Sequence, residues 1–235
     1  MKTNIIGTMN VLEAMRENGV KKIIFSASSS CYGIPKNYPT KENEKIDVRY
    51  PYSFSKNISE QVIQHWSKVY KINYISLRLF NVYGPRSRTH GAYGAALGVF
   101  LRQKLANSPF TIVGDGKQKR DFIYVKDVCE AFYKATTSKH KNLILNVGLG
   151  KPHSVNYLTS LINGKKIFIP KRPGEPKITH ANIKLIKKKL GWKPRTSLDQ
   201  GIKIVMKNID YWKNSPLWTP KMITKATKDW FKFLK

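Results

Sequence analysis

After Pro51 the apolar residues Ile58, Val62, Ile63, Trp66, Val69 and Tyr70 recur with a helical period, and no glycine or proline interrupts them. This predicts an amphipathic helix over 52–70. An earlier helix is predicted over 2–18, where Ile5, Met9, Leu12 and Met15 share a face and the pair Asn18-Gly19 supplies a stop. Between them "KKIIFSAS" reads as a buried strand ending near Ser28, and a polar loop carrying Pro35, Pro39 and Pro51 follows. "NYISLRLF", residues 73–80, is the next strand. Strands that are apolar throughout, alternating with helices, predict a parallel sheet covered on both faces. Helices over 95–107 and 126–137 and strands over 110–113 and 143–147 continue the series. Beyond residue 150 the elements shorten: "KIFIP" is a small strand, and helical stretches lie around 182–190, 197–213 and 218–233. The expected organisation is a domain over 1–150, some of whose segments serve the substrate side, and a smaller lobe over 151–235.

Composition narrows the class of protein. A chain of 235 residues with 41% apolar content can bury a substantial core in one large domain, or in one domain with a lobe. No apolar run approaches the roughly 20 residues of a membrane span, and the first residues lack the pattern of a signal peptide, so a cytoplasmic location is expected. Two cysteines, Cys31 and Cys129, agree with a reducing compartment and exclude a four-cysteine zinc site; no metal site is expected. The net charge of +29 is carried by 34 lysines against 9 arginines. A surface built to grip bases or phosphates bidentately would favour arginine, so the charge reads as a solvated lysine-rich surface with non-specific attraction for polyanions. Specific nucleic-acid binding is not expected, because zinc-finger spacing, aromatic RNA-binding strands and a basic heptad helix are all lacking.

Candidate chemistry starts at "PYSFSK", where Lys56 follows Tyr52 by four positions. With 12 tyrosines and 34 lysines in 235 residues, roughly 1.7 such spacings are expected by chance, and two occur. In the other, Tyr32 and Lys36, the intervening Gly33 and Pro35 exclude a regular helix and predict a turn. Tyr52 and Lys56 instead open a long helix and lie one turn apart on one face. Ligands of open parallel sheets sit at the carboxyl ends of the strands. The segments to inspect are therefore "SASSSCYG", "NVYGPR" and "GDGKQKRD", all polar and glycine-bearing.

Taken together, "FSASSSCYG", "PYSFSK", "LRLFNVYGPR", "VGDGKQKRDFIYVKDV", "NVGLG", "RPGE" and "LGWKP" resemble, in order and spacing, the extended short-chain dehydrogenase/reductase family. Within it they are similar to the NAD-dependent sugar-nucleotide epimerases and dehydratases of the UDP-glucose 4-epimerase type. The resemblance runs from Asn4 through nearly the entire chain. It implies a Rossmann-like doubly wound α/β fold with a smaller C-terminal α/β substrate-binding lobe. It also implies NAD as cofactor and, as reaction, inversion at C4 of a nucleotide sugar by way of a 4-keto intermediate. Carried over residue by residue, Tyr52 is the general acid or base, Lys56 binds the nicotinamide ribose and favours the phenolate, and Ser28 hydrogen-bonds the reacting sugar oxygen. Asn4, Ser26 and Phe80 join Tyr52 and Lys56 around the cofactor. Ser28, Ser30, Asn81, Arg120, Arg172 and Glu175 fall on the substrate side, the arginines suited to bidentate grip of a diphosphate. Arg78, inside an apolar strand, is equally consistent with a structural salt bridge and with function. Asp121 and Asp127 read as loop braces or helix caps.

Two features refine the implied reaction. Dehydratases and decarboxylases of this superfamily place an acid just after the catalytic hydroxyl, where this chain has Ser29 and Ser30, so an epimerase is favoured over a dehydratase, with a nucleotide-sugar 4,6-dehydratase or reductase as the alternative. The family's glycine-rich pyrophosphate loop has no counterpart here. "NVGLGKPHSV" imitates it, but His153 stands where a third glycine is needed, and the segment reads as a turn. The expectation is a chain that starts partway through the nucleotide-binding half, active once a complementing N-terminal segment is supplied. The alternative is a non-catalytic remnant that binds sugar nucleotides or a partner subunit. The resemblance also implies a homodimer through the helices of 2–18 and 52–70.

Overall fold

The structure, a computed structural model, describes residues 1–90 and 96–233. Residue 95, with which the third predicted helix begins, lies outside them. In chain order the helices are α1 (Gly7–Glu17), α2 (Pro51–Tyr70), α3 (Ala96–Leu105), α4 (Val125–Thr137), α5 (Val155–Ile162), α6 (Lys184–Leu190), α7 (Leu198–Lys207) and α8 (Pro220–Phe233). The strands are β1 (Lys22–Ser28), β2 (Asn73–Leu79), β3 (Asn81–Tyr83), β4 (Phe110–Val113), β5 (Lys119–Arg120), β6 (Phe122–Tyr124), β7 (Leu143–Val147), β8 (His153–Ser154) and β9 (Lys166–Ile169). A π-helical turn, Lys2–Ile6, leads into α1, and 3₁₀ turns occupy Ser29–Tyr32 and Ile209–Trp212. The predicted α/β class with parallel strand pairing is what the chain adopts.

The chain forms two compact units, each discontinuous in sequence. The first comprises Met1–Phe80, Val128–Gly150 and His180–Lys193; the second comprises Asn81–Asp127, Lys151–Thr179 and Pro194–Lys235. The chain thus crosses from one unit to the other at several points along its length. Contacts between segments distant in sequence decide this grouping, and local patterning does not report them.

In the first unit β1, β2 and β7 form a parallel sheet in that order, with Ser28 level with Leu79, and Leu79 level with Val147. The helix carrying "PYSFSK" starts where Pro51 can occupy the first turn without losing a hydrogen bond. The Ser53 hydroxyl there donates to the Tyr50 carbonyl at 2.8 Å and accepts from the Tyr50 N–H at 3.2 Å. The helix ends at Lys71, which turns left-handed at φ 60° while its N–H still reaches the Ser67 carbonyl. Its apolar stripe packs on α1, where Leu12 and Met15 meet Ile63 and Ile72, all buried. Fully burying a leucine or isoleucine stabilises by roughly 1.5–3 kcal/mol, so this cluster goes far toward fixing α2. At the other end of α4, the Lys22 ammonium donates to the carbonyls of Ala135, Thr136 and Ser138 at 2.8, 3.2 and 2.6 Å, closing a helix terminus that has no partners of its own.

The second unit contains the pairs β3–β6 and β4–β9, both parallel, and β5–β8, antiparallel. Its core gathers Tyr83, Leu97, Phe100, Leu101, Phe110 and Trp212 among other buried side chains. The strand predicted over 73–80 stops at Leu79: Phe80 still donates its N–H to Val147, but Asn81 donates to Asp121 and opens β3. Among the described residues no helix is long and apolar enough to cross a membrane.

Candidate active site

Helix α2 presents Tyr52 on its first turn, 36% exposed, with Lys56 one turn further along the same face. The Lys56 ammonium donates to the Ser26 carbonyl of β1 at 2.8 Å and lies 5.2 Å from the Phe25 ring centroid. Burial holds its pKa below the ordinary lysine value. A partly desolvated ammonium satisfied by one neutral carbonyl retains donors and positive potential for an anionic or hydroxyl-bearing neighbour.

Two residues beyond Ser26 the strand ends at Ser28, whose extended backbone caps the 3₁₀ turn Ser29–Tyr32. The Ser28 hydroxyl accepts from the Ser30 N–H at 3.2 Å and is 2.9 Å from the Ser30 hydroxyl. Gly33 closes the turn at φ 58°, and a Cβ there would stand 2.1 Å from the Asp47 carbonyl oxygen, so no larger residue fits. Helix α2 packs against both β1 and this turn, which brings Ser26, Ser28, Ser30, Tyr52 and Lys56 into one region of the first unit. Asn4 joins them from the π-helical turn: its amide donates to the Ser55 hydroxyl at 2.9 Å and its carbonyl accepts from the Ser59 hydroxyl at 2.6 Å. Phe80, 6% exposed, lies at the exit of β2 with its ring 6.5 Å from that of Tyr32.

A buried polar network that the patterning did not reveal lies within the same unit. Arg78, 4% exposed, pairs with Glu60 of α2 and donates to the Tyr32 hydroxyl at 3.0 Å and the Glu42 carbonyl at 3.1 Å. Tyr32 donates in turn to Asn146 of β7 at 2.8 Å, and the Ser76 hydroxyl donates to Glu60 at 2.6 Å. Arg78 therefore makes the structural salt bridge that was one of its two readings. Tyr32 is not half of a helical pair with Lys36: Gly33 breaks the chain between them, and its hydroxyl belongs to this network. The usable signal in sequence was Glu60, an acid within the helix and four residues after Lys56.

The remaining candidates belong to the second unit. Arg120 on β5 donates to the carbonyls of Lys119 and Pro176, both at 2.9 Å, and pairs with Glu175 at 3.4 Å. Glu175 also pairs with Arg172 at 3.3 Å, so two guanidinium groups meet one carboxylate. The Asn81 side chain accepts from the Thr179 hydroxyl at 2.9 Å, and that hydroxyl accepts from the Asp121 N–H at 3.0 Å. Asp127, in the first turn of α4, accepts from the Thr196 N–H at 3.0 Å, a loop brace. Thr179 had no distinguishing mark in the sequence. In "NVGLGKPHSV" Gly150 turns at φ 73° between β7 and β8, and its carbonyl lies 3.1 Å from His180 Nε2, so the segment turns at the point where the chain leaves the first unit.

Residues 1–148 match a family described as the NAD dependent epimerase/dehydratase family. The chain belongs to that family. Among members, a Methanocaldococcus jannaschii protein named provisionally as a UDP-glucose 4-epimerase is 40% identical over 210 residues, covering 86% of this chain and 68% of that protein. The UDP-glucose 4-epimerase of Thermotoga maritima, solved with UDP-glucose, superposes with a TM-score of 0.83 at 33% identity, covering 90% of this chain and 70% of that one. The UDP-glucuronic acid 4-epimerase of Bacillus cereus, solved with UDP-glucuronic acid and NAD, gives a TM-score of 0.82 at 31% identity over 89% and 68%. This chain thus spans about two thirds of the length of these family members, and it is an NAD-dependent enzyme of the epimerase/dehydratase type. The half-buried Lys56 ammonium and the Tyr52 hydroxyl fit a nicotinamide ribose, whose two hydroxyls can accept from the one and bond with the other.

Proposed function

We propose that the chain inverts C4 of a UDP-hexose-type nucleotide sugar. The observation that carries this reading is the position of Lys56: one turn beyond Tyr52, half-buried, and anchored on the carbonyl of Ser26 in the strand that ends at Ser28. NAD, when bound, supplies the two-electron acceptor that takes hydrogen from C4 and gives it back. Tyr52 takes the proton of the C4 hydroxyl and later returns it, and Lys56 favours the phenolate by its charge while holding the ribose. Ser28 orients the same oxygen from the strand end, its own hydroxyl kept in place by Ser30. Asn4, Ser26 and Phe80 complete the cofactor side. Asn81, Arg120, Arg172 and Glu175 take the nucleotide diphosphate end of the substrate.

The residues after Ser28 favour inversion over elimination. Ser29 and Ser30 carry no carboxyl group, so the positions directly after Ser28 offer no acid/base group to take the C5 proton and protonate the departing C6 hydroxyl. Two surface helices support a homodimer: Ile6, Val11, Val69 and Tyr70, at or near the outer sides of α1 and α2, are each about half exposed. Both cysteines are free, which supports a cytoplasmic protein.

Purified chain incubated with NAD, UDP-glucose and a segment carrying the glycine-rich loop is expected to form UDP-galactose, measured by chromatographic separation of the two. A parallel reaction omits that segment. Sugar-nucleotide binding without inversion in either reaction would replace this reading with that of a binding protein.

A further inference from the structure

The second unit contains a contact that no part of the proposed reaction uses. Trp230 lies on α8, fifty residues and more beyond the "RPGE" segment, on a helix anchored by Ile223 and Thr227, 5% and 3% exposed. Its indole Nε1 donates to the Pro173 carbonyl at 2.8 Å, and the guanidinium carbon of Arg172 lies 5.7 Å from its ring centroid. One side chain therefore grips both the backbone and the charged group of the same short segment. Glu175, two residues past Pro173, pairs with Arg172 at 3.3 Å and with Arg120 at 3.4 Å. Two guanidinium groups thus converge on one carboxylate, and guanidinium groups are suited to a phosphate. The aim of such a pair matters, because a guanidinium recognises a phosphate through a planar fork and a few tens of degrees of rotation breaks it.

We propose that Trp230 is a positioning residue for the diphosphate of the nucleotide sugar: α8 uses it to hold Arg172 and the 172–175 segment in the orientation that receives the phosphates. This rests on the reading above that Arg120 and Arg172 bind that diphosphate. The ring restricts the long arginine side chain from one side, while the indole N–H fixes the backbone that carries it. The loss of a cation–π contact and one hydrogen bond corresponds to about tenfold in affinity.

The test titrates UDP and UMP calorimetrically into the full chain and into Trp230→Ala, Trp230→Phe, Arg172→Ala and the Trp230→Ala/Arg172→Ala double variant. Trp230→Ala is expected to weaken UDP about tenfold and UMP clearly less. Trp230→Phe, which keeps a ring but loses the donor, should fall between, and it carries the comparison alone if the alanine variant does not fold. In the Arg172→Ala background the tryptophan substitution should cost nothing further, which a general loosening of the unit would not produce. Unchanged UDP affinity in Trp230→Ala or Trp230→Phe, equal weakening of UDP and UMP, or full additivity in the double variant overturns the inference while leaving the function intact. Unchanged UDP affinity in Arg172→Ala removes the diphosphate reading itself, and the role of Trp230 with it.

Discussion

Lys56 shows how much one residue can tell before and after folding. Its spacing from Tyr52 was legible because the apolar period over 52–70 predicted the helix, and four residues on a helix is one turn. Its partner was not legible: the Ser26 carbonyl is a backbone atom thirty residues away, and no side-chain pattern marks it. The same holds for Tyr32, whose hydroxyl finds Asn146 across 114 positions. The two cysteines give a prediction at this scale. Cys31 is 3% exposed and burial pushes its thiol from 9.0 up to about 12, whereas Cys129 is exposed. In the native protein one thiol should react with Ellman's reagent within minutes, and two after denaturation; two fast thiols in the native state would contradict the placement of Cys31. The sign for stability follows. The unfolded thiol loses its proton from about pH 9 while the folded one keeps it, so the unfolded state binds fewer protons and stability falls as pH rises between 9 and 12. The buried Tyr32 hydroxyl, also shifted upward by burial, adds to the same alkaline loss.

At the scale of elements the helices and longer strands were readable, since α2, β1, β4 and β7 carry their own period or apolar run. The short strands β5, β6 and β8 were not, because two or three residues hold no period and pair only where tertiary structure brings a partner. Phe80 marks another limit: "LRLFNV" is continuously strand-like, yet hydrogen bonding moves from Val147 to Asp121 between residues 80 and 81. What locks α2 to β2 is the Arg78–Glu60 pair, both partners about 5% exposed at the side chain. Removing one partner of a buried pair leaves an uncompensated charge, and Glu60→Gln is expected to destabilise by about 3–5 kcal/mol, read as a lower urea midpoint. The double change Glu60→Leu with Arg78→Met should recover much of that loss. Equal midpoints for wild type and Glu60→Gln would show that the pair does not hold the helix in place.

The whole chain assembles its two units from six segments, and that arrangement was invisible in sequence because every join depends on contacts between distant residues. Composition, by contrast, was informative at this scale: lysines outnumber arginines 34 to 9, and the arginines that do occur include Arg78, Arg120 and Arg172, all held in specific ion pairs. Charge therefore dresses the surface, while the candidate chemistry rests on few groups. In the proposed reaction Tyr52 moves the proton of the C4 hydroxyl while the hydrogen on C4 leaves and returns to the same carbon. UDP-glucose deuterated at C4, incubated with NAD, the chain and a segment carrying the glycine-rich loop, is predicted to yield UDP-galactose that retains the label. Tyr52→Phe should lower that rate by roughly 10²–10⁴-fold at unchanged affinity for UDP. Label lost to solvent, or a Tyr52→Phe variant as fast as wild type, would contradict it.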